Sequence, residues 1–138
     1  MSKRSRVEPP LEYFVDRSLG SEIVPTALRE AGLTVHRLVE LYPGHEDVDD
    51  NTWIADCTAQ GWVLLTKDKR IRHRQAEIDA VKEAGARMFC IPSGNLTGRQ
   101  MADRLVHNRH RIAQRAGKRG PYIYLVHADR LERIYPPT

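Results

Sequence analysis

A chain of 138 residues, 41% hydrophobic, is long enough for one domain that buries roughly two thirds of its unfolded surface. No run approaches the ~20 apolar residues of a membrane span, and the basic start Met1-Ser2-Lys3-Arg4-Ser5-Arg6 lacks the apolar segment of a secretory signal. The formal net charge of +4 is unevenly spread: residues 67–74 contribute +4 and residues 99–119 contribute +6, so the remainder sums to −6.

Much of that negative charge lies in Glu46-Asp47-Val48-Asp49-Asp50. A local acidic region between basic surfaces suits a metal-dependent enzyme acting on a polyanion; the plainer alternative is a set of solvated faces. Cys57 and Cys90 have no CxxC partner, which points to reduced thiols and a cytoplasmic protein.

In chain order, residues 1–10 read as a basic disordered tail ending at Pro9-Pro10, and residues 11–138 as a single domain. Glu12 to Asp16 is a first strand. A helix follows from about Glu22 to Ala31, with Pro25 tolerable in its first turn and Gly32 placed to end it. Leu33 to Leu38 alternates apolar and polar residues, as a half-buried strand does. Residues 39–49 form a long loop, and Asp49 or Asp50 caps a helix through about Gln60 that carries Trp53, Ile54 and Cys57 on one face.

Gly61 ends that helix, and Trp62-Val63-Leu64-Leu65-Thr66-Lys67 reads as a buried strand. A helix over about Arg74–Ala84, a strand over Arg87–Ile91 and a helix from about Thr97 or Gly98 to Ala116 come next. Pro121–His127 and Leu131–Tyr135 are two strands joined by a turn at Ala128-Asp129. The alternating order implies an α/β fold of three layers with a mostly parallel central sheet.

In such a sheet, Asp16, Asp50 and Asp68 each fall where the carboxyl edge is expected. One strand-end Asp is usually a cap or turn residue. Three together repel one another unless a cation or protons intervene, and an all-oxygen set suits a hard divalent ion. Competing motifs fail: from Asp47 an EF-hand loop would place Thr52 where glycine is required and Thr58 where Glu is required. Gly117-Lys118 lacks the following Ser/Thr and the upstream glycine of a P-loop, and the six histidines lack zinc spacing.

Arg104, His107, Arg111, Arg115 and Lys118 recur at helical spacing beside the apolar stripe Met101, Leu105, Ile112 and Ala116. Such a basic ridge suits a phosphate backbone or an acidic partner; plain solvation is the alternative.

Phe14-Val15-Asp16-Arg17-Ser18-Leu19-Gly20, then Asp50, then Gly61-Trp62-Val63-Leu64-Leu65-Thr66-Lys67-Asp68-Lys69 together resemble the PIN-like domains of bacterial VapC-type toxins over roughly residues 11–135. The resemblance implies an α/β/α sandwich, an endoribonuclease dependent on Mg²⁺ or Mn²⁺, an RNA substrate and a cognate antitoxin; a homodimer fits the same pattern. It makes Asp16, Asp50 and Asp68 the metal-binding acids and Thr66 the hydroxyl that orders them. Lys69 and Arg70 stand where many such domains carry another acid, so a fourth carboxylate would come from Asp49 or Asp47. Lys67, Lys69, Arg72, Arg104, Arg111 and Arg115 would then hold the RNA backbone. The competing readings are a PIN-like RNA-binding or interaction module without activity and a receiver-type signalling domain. The receiver reading wants adjacent acids after the first strand, where Arg17 follows Asp16.

Overall fold

The computed structural model of the chain describes residues 10–45, 47–67, 71–92 and 94–137, with the backbone alone for 71–73. Of the expected tail, residues 1–9 lie outside the described residues.

The strands form where apolar runs are long enough to be covered on both faces. In β1 (Glu12–Val15), Tyr13, Phe14 and Val15 are all buried, and in β3 (Val63–Lys67) burial is continuous from Val63 through Thr66. Unbroken apolar strands of this kind belong to parallel sheets with helices on both sides. With β2 (Thr34–Arg37), β4 (Arg87–Ile91), β5 (Tyr122–Val126) and β6 (Leu131–Tyr135) they make one sheet in the order β2-β1-β3-β4-β5-β6. All pairings are parallel except β5–β6.

Side chains alternate between the two faces. Tyr13, Val15, Leu65, Phe89 and Tyr122 pack with α1 (Ile23–Glu30), α5 (Gly98–His107) and α6 (Arg109–Ala116) through Val24, Leu28, Met101, Leu105 and Ile112. Phe14, Leu64, Met88 and Ile123 pack on the other side with α3 (Asp50–Ala59) and α4 (Ile71–Ala84) through Trp53, Ile54, Cys57, Ala80 and Val81. The expected three layers and mostly parallel sheet are thus present.

Local chemistry explains the element ends. Pro25 occupies the third position of α1, where its missing N–H costs nothing, and Gly32 follows at a φ of 94° that L side chains avoid. Thr97 caps α5 reciprocally with Gln100. At the amino edge of the sheet, a Cβ on Gly120 would lie 2.5 Å from the Ala86 carbonyl oxygen, the same oxygen that accepts from the Tyr122 N–H at 3.0 Å.

Two stretches differ from the sequence reading. Leu38, expected to end the second strand, and residues 39–41, expected in a loop, form the short helix α2 directly after β2, with Glu40 accepting from the Arg37 N–H at 3.0 Å. The single long helix expected to Ala116 is broken at Asn108. That side chain is fully buried, and its Nδ2 donates to the carbonyls of Arg104, His127 and Ala128 at 2.9, 3.0 and 3.2 Å. The backbone there has φ −94° and ψ 7°, outside the helical range, at the residue whose buried amide serves the β5–β6 turn.

Candidate active site

Parallel neighbours end at the same edge. Val15 of β1 lies in register with Leu65 of β3, so the next residues, Asp16 and Thr66, emerge side by side at the carboxyl edge. The Asp16 N–H donates to the Leu65 carbonyl at 3.0 Å, which extends the ladder by one bond and fixes Asp16 against β3.

Asp16 is 3% exposed and Thr66 fully buried. The Thr66 Oγ1 hydroxyl donates to Asp16 Oδ2 at 2.9 Å, and the Ser18 hydroxyl donates to the same oxygen at 2.7 Å. Ser18 Oγ in turn accepts from the Lys67 N–H at 3.0 Å and lies 3.1 Å from Thr66 Oγ1. Both hydroxyls therefore crowd one carboxylate oxygen, and among the described residues no donor is directed at Oδ1. Asp16 also forms no ion pair among the described residues.

The helix α3 returns the chain toward the start of β3, so its N-terminus lies at this carboxyl edge. Asp49 caps it, accepting from the Thr52 N–H at 2.9 Å, and that bond holds its carboxyl below the ordinary range. Asp50 is the first helical residue and half-buried. Its Oδ1 accepts from Trp53 Nε1 at 2.9 Å. Trp53 itself packs on Phe14, centroids 5.2 Å apart, two residues before Asp16. The indole thus ties the acid on the helix to the strand that carries the buried acid.

Cys57 sits two turns further along α3, fully buried, with its thiol pushed up from 9.0 to about 12 by burial first and then by the Asp56 and Asp16 carboxylates. Beside the acids, Val15, Arg17, Gly20, Ser21, Arg37, Leu38 and Val39 enclose a small cavity of about 70 Å³ between the ends of β1 and β2.

Of the residues singled out from sequence, the structure gathers Asp16, Asp50 and Thr66 at one edge, with Lys67 half-buried at the end of β3. Asp49 is a helix cap and exposed, and Asp47 and His45 lie exposed on the preceding turn. Asp68, Lys69 and Arg70 lie outside the described residues, and Arg72 is placed by backbone alone in the first turn of α4. Among the described residues no group of three or more His, Cys, Asp or Glu side chains converges.

The basic ridge is elsewhere. Arg104 is half-buried, with Nη1 3.5 Å from the Val126 carbonyl. Arg111 and Arg115 stand on α6 near Arg130 and Leu131. The β5 strand beneath them is separated from β1 by β3 and β4.

Sequence reasoning missed the roles of Ser18 and Trp53. Ser18 follows Asp16 by two residues, the spacing at which a hydroxyl can turn back on the preceding carboxylate. Trp53 follows Asp50 by three, the spacing of neighbours on one helical face.

The donor set is carboxylate oxygen oriented by hydroxyls and an indole N–H. Hard cations such as Mg²⁺ take this chemistry, and second-sphere hydrogen bonds of this kind hold the ligand oxygens in place. The residues present therefore fit a divalent ion.

Comparison with known proteins agrees with the fold. The sequence profile of the family described as "PIN like domain" matches residues 11–93. A Mycobacterium tuberculosis (strain ATCC 25618 / H37Rv) protein named "Putative ribonuclease VapC45" is 38% identical over 123 residues, covering 88% of this chain and 89% of the relative. No solved structure matches the chain. The resemblance drawn from Asp16, Asp50 and the Thr66-Lys67-Asp68 segment is borne out at the level of family: the chain belongs to the PIN-like domains and is a relative of the VapC proteins.

Proposed function

We propose that the chain is a metal-dependent endoribonuclease, the toxin of a toxin–antitoxin pair, with Asp16, Asp50 and Asp68 as its metal-binding and catalytic acids. The observation that supports this most is the buried Asp16 carboxylate, held by Ser18 and Thr66 through one oxygen at the sheet edge where α3 presents Asp50. The relative's name, with its 38% identity along most of both chains, supports RNA as the substrate class.

When bound, Mg²⁺ or Mn²⁺ supplies a lowered water pKa and neutralises charge that develops on the phosphodiester. The chain's own groups supply position. Thr66 and Ser18 fix the rotamer of Asp16, Trp53 fixes that of Asp50, and Asp49 closes the helix beneath it. Lys67, at the end of β3, and Arg104, near the end of β5, hold the RNA backbone, together with Lys69 and Arg72 as the family resemblance implies. In the reaction a water oxygen bonds to phosphorus as the bond to the 3′ oxygen breaks, which leaves a 3′-hydroxyl and a 5′-phosphate.

We further read residues 11–138 as one domain, with an antitoxin protein and a second copy of the chain as partners. The burial of Cys57 and Cys90 as reduced thiols supports a reducing, cytoplasmic setting. Among the described residues no helix is long and apolar enough to cross a membrane.

The experiment is cleavage of total RNA with Mg²⁺, Mn²⁺ or EDTA, for wild type, Asp16→Asn and Asp68→Asn. Metal-dependent cutting absent from both variants is expected. Equal inertness of all three proteins with RNA binding retained would favour a non-catalytic RNA-binding module instead.

A further inference from the structure

The carboxyl edge does not use the cations gathered over β5 and β6. Arg111 and Arg115 of α6 and Arg130 of the β5–β6 turn, with Gln114 and Leu131, enclose an open cavity of about 330 Å³. None of the three guanidinium groups forms an ion pair among the described residues. The nearby acid Glu132 is engaged by His127 Nε2 at 2.8 Å. That bond is the largest cause holding its carboxyl below the ordinary value, with Arg130 and Arg74 adding to it.

Two of the three arginines are held in place by uncharged partners. The Arg115 guanidinium lies over the Tyr124 ring, 6.0 Å from its centroid. Arg111 Nη1 donates at 3.1 Å to Oδ1 of the buried Asn108, whose amide is pinned by three carbonyls. Three converging cations repel one another, so an occupant that neutralises them gains affinity from relief of that repulsion. Planar guanidinium forks match phosphate oxygens in pairs. Leu131 is the single apolar side chain among the lining residues, which disfavours a protein anchor, since such anchors seek apolar pockets.

We propose that Arg111, Arg115 and Arg130 form a phosphate-binding subsite for single-stranded RNA, distinct from the acid edge. Three strand steps separate β5 from β1, or roughly 14 Å at ~4.8 Å per step. A single strand seated there would continue across the sheet edge toward Asp16. The identity of the polyanion rests on the ribonuclease reading; the cavity and its charge do not.

The test is equilibrium binding of a fluorescein-labelled single-stranded RNA oligonucleotide in EDTA, across a series of KCl concentrations. Wild type is compared with Arg130→Ala, Arg111→Ala and the charge-matched control Arg119→Ala, each checked by circular dichroism. Arg130 is exposed on a turn, so its removal spares the core. Arg130→Ala is expected to weaken binding roughly tenfold. It should also lower the slope of log K against log salt by about 0.7, as one fewer phosphate contact predicts for a single strand. Arg119→Ala should match wild type. With metal present, KM should rise in Arg130→Ala while kcat holds.

Equal affinity and slope in wild type and Arg130→Ala would overturn the subsite, as would absence of RNA binding by wild type. A poly-glutamate peptide that depends on Arg130 while RNA does not would assign the cavity to a protein partner. Arginine-dependent binding without any cleavage would keep the subsite and reject the nuclease reading; cleavage with arginine-independent binding would do the reverse.

Discussion

Thr66 and Asp16 stand on adjacent parallel strands, 50 positions apart in sequence, and meet through one 2.9 Å hydrogen bond in which the threonine hydroxyl is the donor. Neither residue would be so placed without the Val15–Leu65 register, so a bond at the site depends on pairing in the core. Thr66→Val keeps the side-chain shape and removes the donor. On the proposed metal-binding role of Asp16, we expect activity to fall about 10- to 100-fold with the fold intact. Thr66→Ser should recover most of it. The check is kcat on a fixed RNA at saturating Mg²⁺.

Trp53 combines a core role with a polar one. Trp53→Phe retains packing on Phe14 but removes the donor to Asp50, which should raise the Mg²⁺ concentration needed for half-maximal activity and cost about 1–3 kcal/mol. Trp53→Ala also opens a cavity and should cost about 3–5 kcal/mol. Urea unfolding with a Mg²⁺ titration separates the two effects.

Buried acids of high pKa make the protein sensitive to alkali. Burial raises the Cys57 thiol to about 12 and the Tyr122 hydroxyl to about 12. The folded state therefore keeps protons that the unfolded state releases near their ordinary values of 9.0 and 10.0. Their contribution is fully present below about pH 9 and declines as pH climbs toward 12. Urea midpoints measured from pH 8 to pH 11 should fall, and Cys57→Ala should flatten the first part of that decline. The thiol should also resist a disulfide-exchange reagent at pH 8 until the protein is unfolded.

Arg87 joins three elements at the amino edge. Its Nη1 donates to the Ala116 carbonyl at the end of α6, and its Nη2 to the Gly61 carbonyl before β3 at 2.7 Å. Arg87→Met should cost about 1–3 kcal/mol while leaving the carboxyl-edge bonds unchanged. Thermal melting together with kcat provides the check: a lower Tm at unchanged kcat is expected.

Binding of a divalent ion should register without RNA. Mg²⁺ in the millimolar range is expected to raise the Tm of wild type, because a ligand of the folded state stabilises it by mass action. Asp16→Asn should lose that response while melting close to metal-free wild type. An identical Mg²⁺ response in Asp16→Asn would separate the ion from this carboxylate.

Much of this molecule is readable along the chain because its signals are local. The apolar runs at Tyr13–Val15 and Val63–Leu65 announce strands covered on both faces, and Gly32 and Gly61 mark helix ends where φ must be positive. Asp16, Asp50 and Thr66 could be placed at one edge because an alternating α/β order sends parallel strands to the same side. Ser18 was hidden because its role depends on the register between β1 and β3, which sets the reach to Lys67 and Thr66. The break at Asn108 was hidden for a related reason. The stripe of Met101, Leu105, Ile112 and Ala116 runs unbroken through it, and only the distant carbonyls of His127 and Ala128 require the amide there. Arg130 likewise joins Arg111 and Arg115 only after β5 and the turn bring it back.

Gly120 gives the molecule a fixed hinge pin with no tolerance. Since a methyl group would sit 2.5 Å from the Ala86 oxygen, an alanine there must push the entry of β5 away from β4. The strand so displaced carries Tyr124 beneath Arg115 and leads into the turn that bears Arg130. A single added carbon at the amino edge would thus shift Arg130 and the Tyr124 ring relative to Arg111 and Arg115, which stand on α6. It would appear as lost oligonucleotide affinity in a protein whose charges are all intact.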